Sequence, residues 1–160
     1  MKRRSRIRLI AFDIDGVLTT SQTFWLGEEL GWSQFYSVRD GEAFLRLRAG
    51  GYILVPISAN KTLSAKKRME QFAFDCTWLG VSDKLTAINE ATAKYQVSFE
   101  ETCYVADGLG DVEALKQVGL GIAPCDAHPV CKTAAKHVLK AKGGSYVIEE
   151  LELYLINKHA

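Results

Sequence analysis

The chain has 160 residues, of which 48% are hydrophobic and 24% charged, and its formal net charge is +1. This length and composition are typical of one folded domain with a core of its own. The near-zero charge gives no long-range attraction to nucleic acid or to an anionic membrane surface. No run of about 20 apolar residues is present, so we expect neither nucleic acid nor a membrane as a partner.

The charge and cysteine patterns favour a cytoplasmic protein. Residues 1–6 are rich in lysine and arginine, which predicts a solvated basic N-terminal arm. The apolar run that follows is interrupted by Asp13 and Asp15, too early for the core of a signal peptide. The cysteines lack the spacing of a zinc site, and their surroundings favour buried, reduced thiols over disulfides. They are Cys76, Cys103, Cys125 and Cys131.

The predicted elements alternate between strands and helices. Short apolar runs indicate strands, and apolar residues recurring at helical spacing indicate helices. In chain order we expect a strand over 7–12, a helix over 40–49, a strand over 52–57, a helix over 62–72, a strand over 77–79, a helix over 84–95, a strand over 102–106, a helix over 112–118, a strand over 120–123, and helices over 129–135 and 146–156. This order predicts an α/β fold, a Rossmann-like three-layer sandwich with a mainly parallel sheet. All 160 residues are expected to form a single domain without a cap domain.

Residues 18–37 break this alternation and predict a β-hairpin inserted after the first strand. Two short β-type runs, 23–26 and 30–36, flank a turn at 27–29. A short hairpin cannot bury large aromatic side chains by itself. The insertion has four of them, Phe24, Trp25, Trp32 and Phe35. It therefore either folds back on its own domain or packs on another subunit, and we favour the subunit contact.

The end of the first predicted strand carries two carboxylates, Asp13 and Asp15, followed by Gly16. Ligands of such sheets bind beyond the carboxyl ends of the strands. If the chain turns at Gly16, both carboxylates face one pocket, where one could attack phosphorus and the other transfer a proton. The alternative is an ordinary Asp-Gly turn. A calcium-binding loop is disfavoured because the remaining carboxylates of that pattern are missing.

Polar residues near later strand ends could complete such a pocket. Ser58 follows the second strand, where a hydroxyl and nearby amides can hold a phosphate oxygen. Lys84 opens a predicted helix and could neutralise phosphate, although a surface lysine is the alternative. Asp107 follows the strand over 102–106 and, together with Asp111, could bind Mg²⁺ through hard oxygen ligands.

This ordered set of residues resembles the haloacid dehalogenase superfamily. More narrowly, the chain looks like the cap-less 3-deoxy-manno-octulosonate 8-phosphate phosphatases and their relatives that act on eight- and nine-carbon sugar acids. The resemblance extends from about residue 7 to residue 156. Its motifs are Asp13–Thr19, Val38-Arg39-Asp40-Gly41, Ser58, Arg68, Gly80, Asp83-Lys84-Leu85, Asp107, Asp111, Val118-Gly119-Leu120, Asp126-Ala127-His128-Pro129 and Gly143-Gly144.

The resemblance implies a Mg²⁺-dependent phosphatase for a small phosphorylated sugar or sugar acid, of the kind used in lipopolysaccharide biosynthesis. Asp13 would form an aspartyl-phosphate and bind the metal. Asp15 would be general acid and then base, and its backbone carbonyl would be a metal ligand. Two further metal ligands would be Asp107 and Asp111, and Lys84 would be catalytic. The implied substrate-binding residues are Ser58, Ala59, Asn60, Arg39, Asp40 and Arg68. The family is typically tetrameric through the hairpin, so a homotetramer is expected.

The chain departs from the family pattern at three places. The second motif usually has Ser-Gly-Arg, whereas this chain has Ser58-Ala59-Asn60. Gly108 replaces an acidic residue, and two tail arginines are replaced by Ser145 and Ile148. Loss of such groups typically weakens affinity or activity by about 10–100-fold. One alternative is therefore a weakened or inactive relative that serves as an oligomerisation or regulatory module. A phosphotransferase is another.

Overall fold

The computed structural model describes residues 7–159, and its elements follow the predicted alternation of strands and helices. In chain order they are β1 (Leu9–Phe12), β2 (Phe24–Trp25), β3 (Trp32–Ser33), α1 (Val38–Ala49), β4 (Ile53–Pro56), α2 (Leu63–Gln71), α3 (Lys84–Tyr95), β5 (Thr102–Val105), α4 (Val112–Gln117), β6 (Leu120–Ala123), α5 (Pro129–Ala134), β7 (His137–Val138) and α6 (Val147–His159). Short 3₁₀ helices lie at Cys76–Trp78, Phe99–Glu101 and Leu109–Asp111.

Five parallel strands form the central sheet in the order β4-β1-β5-β6-β7. Strand β1 lies between β4 and β5, so that Phe12 is paired with Pro56 on one side and with Val105 on the other. The three strands therefore end at the same level. The residues that follow them meet at one edge of the sheet.

Side chains alternate between the two faces of the sheet and build a core on each. In β1, Ile10 and Phe12 join the core covered by α1, α2 and α6. Leu9 and Ala11 join the opposite core, to which α3, α4 and α5 contribute. This period of two is the expected consequence of strand geometry. The predicted α/β sandwich with helices on both faces is confirmed.

An aromatic cluster supports the strand that precedes Asp13. The ring of Phe12 lies 4.8 Å from that of Phe44 and 5.5 Å from that of Phe74, centroid to centroid. Phe44 and Phe74 are themselves 5.0 Å apart with an edge-on geometry. Such pairs contribute about 0.5–1.5 kcal/mol each beyond their buried area. The cluster fixes the end of β1 against α1.

Polar caps define where the helices around the sheet edge begin. Thr62 accepts a hydrogen bond from the backbone N–H of Ala65 at the start of α2. Asp83 accepts one from the backbone N–H of Thr86, so that Lys84 is the first residue of α3. Capping satisfies backbone donors that the helix itself leaves unpaired. The cap at Asp83 therefore fixes the position of Lys84.

Two expectations about strands differ from the structure. The predicted strand over 77–79 is wrong, because Cys76–Trp78 forms a 3₁₀ helix and only Leu79 makes a β-bridge, to Ser58. The reason is a local cap: the Asp75 carboxylate accepts hydrogen bonds from both the backbone N–H and the hydroxyl of Thr77. The strand β7 was not predicted, since two residues carry no periodic signal.

The inserted hairpin is present and leaves most of its aromatic surface exposed. Strands β2 and β3 are antiparallel and pair Trp25 with Trp32. The exposed fractions are 48% for Trp25, 51% for Trp32 and 80% for Phe35. These rings are therefore not buried by the hairpin folding back on its own domain. Packing on another subunit stays a prediction.

Three further expectations concern the basic N-terminal arm, membrane-spanning segments and the cysteines. The predicted basic arm, residues 1–6, lies outside the described residues. Within residues 7–159, no helix is long and apolar enough to cross a membrane. All four cysteines are free thiols, and two of them, Cys103 and Cys131, are buried.

Candidate active site

The residues predicted to form the active site lie together at the shared edge of β1, β4 and β5. Asp13 follows β1, Ser58 comes shortly after β4, and Asp107 comes shortly after β5. Gly16 has φ +76°, and a Cβ there would lie 1.9 Å from Oδ2 of Asp107. Only glycine satisfies both the left-handed backbone and this close approach. The turn predicted at Gly16 thus packs the first loop against Asp107.

Asp13 is fixed by two hydrogen bonds and is almost completely buried. Its Oδ1 accepts from the backbone N–H of Ile14 at 2.7 Å, and its Oδ2 accepts from Nζ of Lys84 at 2.6 Å. Burial raises the pKa of Asp13, and Lys84 opposes that rise. Burial favours the neutral form of Lys84, but Asp13 and Asp111 outweigh it and raise the lysine pKa. Lys84 is therefore a charged, buried cation, not a surface lysine.

Asp111 connects the lysine to the second half of the site. Its Oδ1 lies 3.3 Å from Nζ of Lys84 and accepts the hydroxyl of Tyr104 at 2.7 Å. Its Oδ2 accepts the backbone N–H of Gly108 at 3.0 Å. Tyr104 is fully buried, and its pKa is raised well above the ordinary value by burial and by the neighbouring carboxylates. It therefore stays protonated and acts as a donor to Asp111.

Three carboxylates converge into a group that fits a divalent cation. Oxygen atoms of Asp13, Asp107 and Asp111 all lie within 4.8 Å of one another. Burial, followed by the charges of Asp13 and Asp111, raises the pKa of Asp107 to about 7. One lysine cannot neutralise three crowded carboxylates. Hard oxygen donors at this spacing suit Mg²⁺, which commonly keeps few protein ligands and several waters.

The carboxylate of Asp15 points away from this group and toward an open cavity. Its Oδ1 accepts from Nε2 of Gln34 at 2.7 Å and from Nδ2 of Asn60 at 2.9 Å. The cavity has a volume of about 430 Å³. It is lined by Asp15, Thr23, Trp32, Ala59, Asn60, Lys61 and Thr62. A metal contact of Asp15 through its backbone carbonyl stays a prediction.

The second-motif residues, Ser58 to Asn60, run from Asp13 to the cavity. Ser58 is buried, and its hydroxyl interacts with Asp13, favouring the ionised carboxylate. The Ser58 hydroxyl also accepts the backbone N–H of Asn60 at 3.2 Å. Ala59 is exposed in the cavity wall. A role of this segment in phosphate binding stays a prediction.

Three residues expected to bind substrate have structural partners elsewhere. Arg39 forms an ion pair with Glu149 and stacks on Tyr146 at 3.9 Å. Asp40 accepts backbone N–H groups at the start of α6. Arg68 donates to the carbonyl of Ser37 at 3.1 Å and to Gln71 at 2.8 Å. The structure does not bring them into the carboxylate group, and a substrate contact through them stays a prediction.

Gln34 and Tyr104 are parts of the site that the sequence did not indicate. Gln34 lies in the hairpin insertion, and Tyr104 reads as an ordinary core residue of β5. Nothing local marks either of them, because their contacts with Asp15 and Asp111 join segments that are distant in sequence or on different elements. Two of the histidines have structural contacts: His128 caps α5 and His137 stacks on Tyr154 at 4.2 Å.

A sequence family described as haloacid dehalogenase-like hydrolases matches residues 58–148, more than half of the chain. The chain belongs to this family. The 3-deoxy-D-manno-octulosonate 8-phosphate phosphatase of Yersinia pestis is 31% identical over 153 residues, which cover 94% of this chain and 80% of that relative. The expected membership and the expected class, a phosphoric monoester hydrolase, are both confirmed.

Solved structures of haloacid dehalogenase-like phosphatases share the fold. A cobalt-bound deoxy-D-mannose-octulosonate 8-phosphate phosphatase from Haemophilus influenzae is 26% identical with a TM-score of 0.88, covering 95% of this chain and 88% of that one. A Moraxella catarrhalis phosphatase solved with magnesium, phosphate and its sugar acid is 24% identical with a TM-score of 0.87, covering 94% and 86%. The second likeness shows the fold alone.

Proposed function

We propose that this phosphatase hydrolyses a small phosphorylated sugar acid through an aspartyl-phosphate on Asp13, with Mg²⁺ as cofactor. The observation that supports it most is the placement of Asp13 between a buried cation, Lys84, and two further carboxylates, Asp107 and Asp111. A carboxylate fixed in this way serves as a nucleophile, not as a cap or a turn residue. The departures from the family pattern, in the second motif, at Gly108 and in the tail, do not change these four residues.

In the first step, a carboxylate oxygen of Asp13 attacks phosphorus and the bond from phosphorus to the sugar oxygen breaks. Asp15 donates its proton to the departing oxygen, because its carboxylate lines the adjacent cavity. Lys84 holds a phosphate oxygen and offsets negative charge. In the second step, Asp15 takes a proton from a water molecule that attacks the aspartyl-phosphate, releasing inorganic phosphate and regenerating Asp13.

The metal would be held by Asp13, Asp107 and Asp111. When bound, Mg²⁺ supplies positive charge that stabilises the transferring phosphoryl group and lets an anionic nucleophile approach it. The donor set fits this role, since all three side chains offer oxygen ligands in one small volume. The cobalt bound to the Haemophilus influenzae relative supports a divalent cation.

The cavity beside Asp15 would take the sugar part of the substrate. Trp32 provides an apolar wall, and Lys61 provides a cation that has no ion-pair partner among residues 7–159. An aromatic face suits a sugar ring, and an unpaired lysine suits a carboxylate on it. The phosphatase names of the relatives support a sugar acid. We therefore expect the enzyme to act in a cytoplasmic sugar-acid pathway.

The exposed hairpin supports assembly with further copies of the chain. Trp25, Trp32 and Phe35 together form an apolar surface that residues 7–159 do not cover. We expect a homotetramer with the hairpin at its interfaces. Such assembly would also narrow the open cavity, since Trp32 belongs to both the hairpin and the cavity wall.

Phosphate release tests the proposed function. The substrates are 3-deoxy-D-manno-octulosonate 8-phosphate, 6-phosphogluconate, glucose 6-phosphate and p-nitrophenyl phosphate, with Mg²⁺ or with a chelator. We expect Mg²⁺-dependent release that Asp13→Asn abolishes and that the exposed control variant Glu113→Gln retains. No release from any substrate by the folded wild type would favour the regulatory-module alternative. Transfer of phosphate to a second sugar, not to water, would favour the phosphotransferase.

A further inference from the structure

Two side-chain amides donate hydrogen bonds to the same carboxylate oxygen of Asp15. Nε2 of Gln34 donates to Oδ1 of Asp15 at 2.7 Å, and Nδ2 of Asn60 donates to the same oxygen at 2.9 Å. The two amides are also joined to each other, since Nδ2 of Asn60 donates to Oε1 of Gln34 at 3.0 Å. Three segments of the chain, the first loop, the hairpin and the loop before α2, therefore meet at one carboxylate oxygen.

The direction of these hydrogen bonds is set by the backbone. The N–H of Thr62 can only donate, and it lies 2.9 Å from Oδ1 of Asn60, which also accepts the Thr62 hydroxyl at 2.8 Å. The opposite end of the Asn60 amide must then be its NH₂ group, which faces Asp15 and Gln34. Because Asn60 donates to Oε1 of Gln34, the NH₂ group of Gln34 in turn faces Asp15. The start of α2 thus orients both amides.

Further hydrogen bonds hold both amides in these orientations. The second N–H of Gln34 points to the hydroxyl of Thr19 at 3.3 Å, and Gln34 is only 7% exposed. Every polar atom of the Asn60 side chain is engaged by Asp15, Gln34 or Thr62. A satisfied polar network of this kind restricts the rotamers of its members. It therefore restricts Asp15 as well.

We propose that Gln34 and Asn60 are positioning residues that fix Asp15 with Oδ1 held and Oδ2 directed to the substrate cavity. Among residues 7–159, Oδ2 of Asp15 accepts no hydrogen bond, while Asp15 lines the cavity. Because Oδ1 already accepts two N–H donors, Oδ2 is the oxygen of Asp15 that can approach a substrate in the cavity. Asn60 thus has a defined task at the position where the family pattern has arginine.

This inference rests on the proposed function, and leaving-group dependence tests it separately. A sugar alkoxide needs a proton as it departs, whereas p-nitrophenolate departs without one. The ratio kcat/KM covers the steps up to loss of the leaving group, so it isolates proton donation from hydrolysis of the aspartyl-phosphate. Gln34→Met preserves size and neutrality but removes both donors, and Asn60→Leu does the same for the second amide.

For the best sugar phosphate of the panel, we expect each variant to lower kcat/KM by about 10–100-fold, part of the 10²–10⁴-fold that general acid catalysis contributes. The loss for p-nitrophenyl phosphate should be smaller by at least about tenfold. In an Asp15→Ala background, Gln34→Met should cause no further loss, because its effect passes through Asp15. The exposed control Gln117→Met should match the wild type with both substrates.

Equal losses for the two substrates, or undiminished losses in the Asp15→Ala background, would overturn the inference while leaving the phosphatase intact. Thermal unfolding of each variant identifies losses of activity that come from misfolding. If Gln34→Met misfolds, Asn60→Leu serves as the second test, because Asn60 is less buried than Gln34. Absence of turnover by the folded wild type would instead overturn the proposed function, and the inference with it.

Discussion

At the scale of single residues, charge balance decides what the site can do. Asp13, Asp107 and Asp111 bring three carboxylates together with one buried lysine, Lys84. Burial, followed by the charges of Asp13 and Asp111, raises the pKa of Asp107 to about 7. Such a group is costly to a fold unless it binds something positive. We therefore expect this group of carboxylates to bind a cation, as proposed above.

These residues were predictable, because each follows a strand of the parallel sheet or opens a helix beside it. Asp13, Ser58 and Asp107 needed only the positions of apolar runs and the rule that such strands end at one edge. For Lys84 a surface position was the alternative, and its catalytic role came from the family resemblance. Gln34 was not predictable in the same way. Its partner Asp15 is 19 positions away, and the contact depends on how the hairpin folds over the loop.

Lys61 tests the nature of the substrate at this scale. If Lys61 pairs with a substrate carboxylate, Lys61→Gln should raise KM for 6-phosphogluconate by about tenfold, as expected for one charge-assisted hydrogen bond. Glucose 6-phosphate has no carboxylate, so its KM should change little. Lys67→Gln, a variant of an exposed lysine that pairs with Glu70, is the matched control. Equal changes for the two substrates would contradict a carboxylate contact.

At the scale of elements, a buried carboxyl joins α1 to α6. Oδ1 of Asp40 accepts the backbone N–H groups of Ile148 at 2.9 Å and Glu149 at 3.2 Å. Asp40 is 2% exposed, and its Oδ2 has no hydrogen-bond partner within the described part of the chain. Burial raises its pKa to about 6 in spite of the two backbone donors. Asp40 therefore links the first turn of α1 to the start of α6, and this contact requires a carboxyl group to be buried.

The raised pKa of Asp40 predicts a pH-dependent stability with a definite sign. The folded state binds the proton more tightly than the unfolded state, so stability is lost as pH rises from about 4 to above 6. A displacement of about two pH units corresponds to about 3 kcal/mol at most. Asp40→Asn keeps an oxygen acceptor without the charge. Relative to wild type, its free energy of unfolding should rise between pH 4.5 and 7.5.

Urea unfolding of both proteins at the two pH values measures this difference. Comparison of the two proteins removes the contributions of other titrating groups, such as Asp107 and Asp75. A difference in free energy of unfolding that does not change with pH would contradict a raised pKa for Asp40. The sequence could not indicate this role, since Asp40 and Ile148 are 108 positions apart. The family pattern suggested substrate binding instead.

The succession of elements itself followed from local patterns. Long helices and buried strands were predicted because apolar periodicity and burial come from the same geometry. Cys76–Trp78 was not, because the Asp75 cap diverts an apolar stretch into a 3₁₀ helix. In the hairpin, pairing covers only two residues on each strand. The predicted runs there were too long because exposed aromatics resemble strand residues whether or not they pair.

At the scale of the whole molecule, the exposed aromatic hairpin predicts assembly. A surface with Trp25 and Phe35 exposed is expected to be covered by another copy of the chain. Wild-type protein should have the mass of a tetramer by light scattering. The double variant Trp25→Lys and Phe35→Lys should dissociate it, whereas Leu153→Lys, a change on the exposed side of α6, should not. A wild-type monomer at micromolar concentration would contradict this expectation.

The most direct test of the account is to trap the phosphorylated enzyme. Wild-type protein with Mg²⁺ is mixed with ³²P-labelled substrate, quenched in acid within one turnover, and digested for mass spectrometry. We expect label on the peptide that contains Asp13, removable by hydroxylamine as an acyl phosphate is, and absent from Asp13→Asn. Turnover with no labelled protein, or with label on another residue, would contradict Asp13 as the nucleophile.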